Sequence, residues 1–243
     1  MVRNQVNYKL NCYLEIFSNM IYDAVKNNHG LPHDPFKALV SPRPIGWITS
    51  MDQNGVVNLA PYSYFNAVSD RPHYVMFSSM HRKDSLRNIE QTGEFTCSLA
   101  TWDTRNAMNI TSAPLASDRS EYEQTNLTMA PSQFVAPPRV AQSPAALECR
   151  HWKTISLPDL DTDSDPDLGH FVVFGQVIGI YIDDSVIRDG LVDAAAMQPL
   201  ARLGYMNYSV VREDNMFSMV RPHLDENGDV IKEQPEEWDG VYR

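Results

Sequence analysis

Four consecutive residues, Arg82-Lys83-Asp84-Ser85, combine two cations with two good helix-capping side chains. A helix starting at Ser85 would leave its first backbone N–H groups unpaired and would carry the positive end of its dipole there, which favours an anion. Ser85 adds a hydroxyl donor, and Arg82 and Lys83 add charge just ahead of it. That makes a compact phosphate site. A capped surface helix with two solvated cations accounts for the same residues.

Two further stretches are of the same kind. In Trp47-Ile48-Thr49-Ser50 the adjacent hydroxyls on a strand point to opposite faces, so only one can bond a polyol or phosphate in a given pocket. Ordinary strand usage of Thr and a buried Trp explains them too. In Asn58 to Asn66, Pro61 interrupts a strand and exposes backbone groups that can bond the edge of a planar heterocycle, with Ser63 nearby. An aromatic core corner would also use Tyr62, Tyr64 and Phe65.

No catalytic residue and no metal ligand emerges. G-x-S-x-G, H-E-x-x-H, G-x-G-x-x-G and the P-loop pattern are absent. His81, His151 and His170 are isolated. His29 and His33 lie four apart, but Gly30 and Pro32 argue against the helix that zinc spacing would need. The acidic run Asp159 to Asp167 fails the calcium-loop pattern, because its sixth and twelfth positions are not Gly and Glu. It reads as a solvated loop.

The elements that must position these residues read as mostly β. Strands are expected at Ile45–Met51, Val56–Ala60, His73–Ser79, Phe95–Ala100, Ala145–Ile155, Phe171–Ile182 and Tyr205–Val211. Asn54-Gly55 marks a hairpin between the first two. Pro61 is expected to stop pairing and to leave Tyr62–Asn66 irregular. Asp84 or Ser85 is expected to cap a helix through Leu86 and Ile89 that stops at Gly93. Asp103 caps a second helix, Asp118 with Glu121 a third, and Ala194–Ala201 is a short fourth. Hairpin-linked strands with a few short helices indicate an antiparallel barrel with helical excursions.

The chain has 243 residues, 43% hydrophobic and 21% charged, an ordinary globular balance. Its net charge of -11 argues against nucleic acid and against an anionic membrane surface. Cys12, Cys97 and Cys149 form no C-x-x-C, so a reducing cytoplasm is the natural setting, and Cys149 reads as a small buried hydrophobe. No apolar run approaches a membrane span. Residues 1–20 read as an extension, residues 21–215 as one domain, and residues 216–243 as a second extension with a hairpin at Asn227-Gly228.

Taken in order, Pro42-Arg43-Pro44-Ile45-Gly46-Trp47, Asn58-Leu59-Ala60-Pro61-Tyr62-Ser63, Lys83-Asp84-Ser85 with Asn88-Ile89, and Gly93-Glu94-Phe95 resemble the flavin reductase-like family. These are FMN-binding split-barrel proteins of the flavoredoxin type. The resemblance spans roughly Phe36 to Val211 and includes Ala146-Leu147-Glu148-Cys149 and Arg202-Leu203-Gly204. Tyr205 departs from the family pattern.

The resemblance implies a mainly β split barrel with short peripheral helices, a homodimer, and an FMN site near the subunit interface. By position, Trp47, Ile48, Thr49 and Ser50 would line the ribityl chain and phosphate. Ser63, Tyr64, Phe65 and Asn66 would meet the ring edge. Lys83, Asp84 and Ser85 would hold the phosphate with Arg82 assisting, Asp84 acting through its backbone. The implied reaction is hydride transfer from NADH or NADPH to FMN, with a small acceptor or a partner oxygenase downstream. The alternative is a non-enzymatic FMN-binding electron carrier reduced by a partner.

Overall fold

The computed structural model describes residues 19–158 and 165–231. Cys12, the first six residues of the acidic loop and the end of the chain lie outside that range. The chain divides into two units, Met1–Ser41 with Leu203–Asn207, and Pro42–Arg202 with Tyr208–Arg243.

The smaller unit holds the one-turn helix Phe36–Leu39 and the tight turn Leu203–Asn207. In that turn the Leu203 N–H donates to the Asn207 carbonyl at 3.0 Å and Tyr205 has φ +52°. Gly204 is held close to Ala38: a Cβ at Gly204 would lie 2.5 Å from the Ala38 Cβ. The strand expected from Tyr205 therefore starts only at Tyr208.

The larger unit contains all the strands among the described residues. In chain order they are β1 Arg43–Pro44, β2 Gly46–Met51, β3 Val57–Tyr62, β4 Phe65–Asp70, β5 His73–Met80, β6 Glu94–Leu99, β7 Met129–Ala130, β8 Arg139–Val140, β9 Ala145–Leu157, β10 His170–Ile182, β11 Ile187–Arg188, β12 Leu191–Val192, β13 Leu200–Arg202 and β14 Tyr208–Val210. Seven of them form one sheet in the order β3-β2-β6-β9-β10-β5-β4, and every pairing in it is antiparallel. With its few short helices this is the split antiparallel barrel that the sequence suggested.

Strand β2 divides the interior in two. Ile48 packs with Phe77, Leu86, Ile89, Phe95, Cys149 and Phe171 on one face. Trp47 packs with Leu59, Met108, Tyr122, Val140 and Leu200 on the other. Both faces are buried, so β2 reads as a nearly unbroken buried strand. Gly175 on β10 makes room for the first core, because a Cβ there would lie 2.3 Å from Phe95 Cζ.

Several boundaries differ from expectation. Pro61 does not end β3; it stands opposite Trp47. A proline is tolerated because β3 is an edge strand, where an absent donor need not break a ladder. Phe65 and Asn66 begin β4 rather than an irregular segment. The helix spans Asp84–Thr92, so Lys83 is its cap residue, and Asp84 and Ser85 are its first two members. Its stop is as expected: Gly93 has φ +77° and donates its N–H to the Ile89 carbonyl at 2.8 Å.

Thr104, not Asp103, precedes the helix Arg105–Ile110, and Ser120, not Asp118, precedes the 3-10 turn Glu121–Gln124. The helix expected over Ala194–Ala201 stops at Met197, and Leu200 already belongs to β13. The terminal hairpin is confined to a Leu224–Val230 bridge around Gly228 at φ +86°.

Candidate functional site

A cavity of about 440 Å³ opens at the N-terminus of the Asp84–Thr92 helix. One wall is β3, through Asn58, Ala60, Pro61 and Tyr62. A second is the run Arg82–Ser85 with Arg87. The third is the loop from Thr111 to Leu115 with Ser117 and Glu121. The volume suits a small molecule.

The helix brings its anion-binding face here for a local reason. Leu86 and Ile89 are buried in the first core, which fixes the roll of the helix. Asn88 Nδ2 donates to Ser50 Oγ at 3.4 Å, tying the helix to β2. No side chain caps the first turn, so its N–H groups are left for another acceptor. Ser85 is 1% exposed, and its hydroxyl accepts from Asn58 Nδ2 at 2.8 Å. Its own proton stays available to donate.

Tyr62 packs against Phe77, the rings tilted by 45° with centroids 4.6 Å apart. Burial raises the pKa of its hydroxyl, against hydrogen bonds from Ser85 and Ser79, so the phenol remains a neutral donor.

The four charged side chains at the helix start are not equivalent. Arg82 pairs with Glu90, lies 3.4 Å from Asp167, and stacks over the Phe171 ring at 4.8 Å. Arg87 pairs with Asp84 at 2.5 Å, and Ser117 Oγ donates to the same carboxylate at 2.8 Å. Lys83 is exposed, and among the described residues no carboxylate pairs with it. The cavity thus offers one uncommitted cation, one buried hydroxyl and an open helix end. These donors fit a phosphate monoester.

Of the sequence candidates, Arg82, Lys83, Asp84 and Ser85 are brought together on this cavity. Trp47, Ile48, Thr49 and Ser50 are each 0% exposed and do not line it. Trp47 instead donates from Nε1 to Thr111 Oγ1 at 2.9 Å, which holds the start of the third wall in place. Ser63, Tyr64, Phe65 and Asn66 follow directly on Tyr62, past the β3 end of the cavity, and are not in its lining. Arg43 lies 5.6 Å from the Tyr64 ring centre.

Asn58 and Glu121 also line the cavity, and neither stands out in the sequence. Asn58 belongs to the Pro-interrupted stretch Asn58 to Asn66, but only the fold brings it to Ser85. Glu121 has the spacing of a capping partner for Asp118, and its burial appears only in the fold.

A larger cavity, about 770 Å³, lies elsewhere and is lined by Trp102, Asp103, Arg188, Asp193, Arg212 and their neighbours. Part of its charge is satisfied locally. Arg188 pairs with Asp193 at 3.1 Å, and Trp102 is flanked by Arg105 and Arg212 at 3.8 and 5.0 Å. It holds none of the sequence candidates and offers no open helix end.

Residues 39–202 match the family model described as flavin reductase like domain. An uncharacterized protein of Aquifex aeolicus (strain VF5) is 31% identical over 176 residues, covering 70% of this chain and 85% of its own length. Nitrilotriacetate monooxygenase component B from Bacillus cereus has a similar structure, with TM-score 0.72 and 29% identity over 83% of this chain and 100% of that one. So has the 2-nitrobenzoate 2-nitroreductase of Pseudomonas fluorescens, with TM-score 0.70 and 26% identity over 86% and 100%.

Proposed function

The chain belongs to the flavin reductase like family, and on that premise we propose that it binds FMN in the 440 Å³ cavity as an oxidoreductase, accepting hydride from NADH or NADPH. The observation that carries the reading is the open start of the Asp84–Thr92 helix beside Lys83, which, unlike Arg82 and Arg87 on the same cavity, pairs with no carboxylate among the described residues. Lys83, the Ser85 hydroxyl and the first-turn N–H groups hold the phosphate. Arg82 and Arg87 act indirectly, by fixing the turn and by neutralising Asp84. Tyr62 closes the β3 side, and Ser63 to Asn66 present backbone to the edge of the ring.

The side chains of Trp47 to Ser50 are sealed from solvent, so they serve by holding the walls: Trp47 through Thr111 and Ser50 through Asn88. When bound, FMN supplies hydride acceptance and onward electron transfer, so the protein contributes binding and orientation rather than an acid or base.

Two partners belong to the same reading. The first is a second copy of this chain, docked on the exposed edge strand β4 and the apolar cleft formed by Ala67, Tyr74, Val75, Leu147, Val177 and Ile180. The second is an oxygenase that consumes reduced flavin, by analogy with the similar monooxygenase component from Bacillus cereus.

The test is flavin fluorescence quenching on titration with the protein, followed by anaerobic addition of each nicotinamide. Quenching by the protein and bleaching of the flavin absorbance by at least one nicotinamide are expected. An unquenched flavin overturns the reading. A bound flavin that neither nicotinamide bleaches identifies an electron carrier reduced by a partner.

A further inference from the structure

Glu121 is 7% exposed and yet belongs to the cavity wall. Its Oε2 accepts the Leu59 N–H at 2.8 Å, which pins the side chain against β3. Among the described residues no Lys or Arg pairs with it. The other carboxylate of the cavity, Asp84, is offset by Arg87 and Ser117. A buried carboxylate without a cation, in a cavity otherwise equipped for an anion, works against that anion.

The remaining charged and titratable groups around it are few. Lys83 and Arg87 come from the helix side, with Arg82 turned toward Glu90 and Asp167. Tyr62 comes from β3 and Tyr122 from the same 3-10 turn. Burial raises both phenols, Tyr122 to about 12, so they stay neutral at ordinary pH.

Resting on the flavin reading above, we propose that Glu121 sets how tightly the cavity holds a phosphorylated flavin: its carboxylate opposes the phosphate, and uptake of a proton by Glu121 relieves the opposition. Burial already raises the Glu121 pKa. The Leu59 N–H works the other way, and the Asp84 charge adds to the rise. An arriving phosphate raises it further, so binding is linked to protonation. Whenever Glu121 is charged, the flavin is then held below the full strength of its donors. That suits a protein whose reduced flavin passes to another protein.

The test compares wild type with Glu121→Gln, which removes the charge and keeps an acceptor for Leu59. FMN and riboflavin are titrated by fluorescence quenching between about pH 5 and about pH 8, a range that begins just above the ordinary carboxylate value of about 4.3 and extends in the direction in which Glu121 is raised. The variant is expected to bind FMN about tenfold tighter near pH 8, the equivalent of one pKa unit, with the gap closing toward pH 5. The phosphate itself gains charge around pH 6 and is opposed more strongly as a dianion, so sulfate, which stays dianionic over this range, is titrated as a competitor of FMN for both proteins, and its affinity ratio isolates Glu121. Riboflavin, which lacks the phosphate, is expected to show a ratio near one throughout.

An FMN ratio that does not change with pH, or that riboflavin reproduces, overturns the proposal. If FMN quenches with neither protein, the flavin reading fails and the proposal falls with it. A melting curve checks that the variant folds. Should it not fold, calorimetry of wild type in two buffers at about pH 7.5 decides, where the phosphate is already mostly dianionic. Net proton uptake with FMN and none with riboflavin is expected, and no uptake with FMN overturns the proposal.

Discussion

Asn58 donates from Nδ2 to the hydroxyl of Ser85 at 2.8 Å, a buried bond that joins an edge strand to the second residue of the helix at the cavity. Neither residue alone explains the geometry. The amide consumes an acceptor lone pair of Ser85 and so directs the hydroxyl proton elsewhere, toward Tyr62 or a ligand. Strand and helix are thereby set at a fixed separation before any ligand arrives.

Ser85→Ala should therefore cost stability as well as affinity. It strands the buried Asn58 amide, at a cost of about 1–3 kcal/mol. Adding Asn58→Leu should return part of that loss, because no polar group is then left without a partner. Urea denaturation of the two single variants and the double variant reads the coupling. Strictly additive losses would mean that the bond does not link the two elements.

Lys83 and Arg82 are neighbours in sequence but should differ in kind. Lys83→Ala is expected to leave the melting temperature unchanged and to weaken FMN binding roughly tenfold, as loss of one charge-assisted hydrogen bond worth about 1.5–3 kcal/mol implies. Combined with Ser85→Ala the loss should grow beyond that. Arg82→Ala should cost about 1 kcal/mol of stability through its partly exposed ion pairs and its stacking on Phe171, while FMN affinity shifts by no more than about threefold. Fluorescence titration and thermal melting of each variant separate the two. The opposite pattern would move the phosphate from Lys83 to Arg82.

Gly175→Ala tests the packing beneath β10. The new methyl would meet Phe95 Cζ at 2.3 Å and the Cys149 Cβ at 3.3 Å. Phe95 and Cys149 are completely buried, so the ring has little room to retreat. A loss of about 1–3 kcal/mol is expected by denaturant titration, the usual cost of overpacking. A variant as stable as wild type would mean that Phe95 can rotate away.

Much of this fold is legible in the chain because its strands obey simple rules. The Asn54-Gly55 turn, the long apolar run from Phe171 and the stop at Gly93 all appear where local chemistry puts them. Errors arise where tertiary position overrules local preference. Pro61 reads as a strand breaker, yet an edge strand accommodates it. Asp84 reads as a cap, but its carboxylate is drawn to Arg87 and Ser117, and the helix begins one residue earlier than a capping Asp84 would allow.

The site follows the same division. Lys83 and Ser85 stand out by type and spacing. Glu121 does not, since nothing local says that a residue 36 positions beyond Ser85 is buried in the wall of the same cavity. Trp47 to Ser50 enter the site only through the family resemblance, since strand usage of Thr and a buried Trp explains them equally well. Their side chains are buried on both faces of β2 and lie outside the cavity lining.

The single uncommitted cation at the cavity has a consequence for how fast an anionic ligand arrives. The chain carries a net charge of -11, so the far field repels an anion. Lys83 reverses that only at close range, within about one screening length of roughly 8 Å at physiological ionic strength. Capture is then slowed at long range and secured at short range. Added salt should first speed encounter by screening the overall repulsion, and only at higher concentration loosen the hold of Lys83. Arrival and retention thus answer to ionic strength in opposite directions.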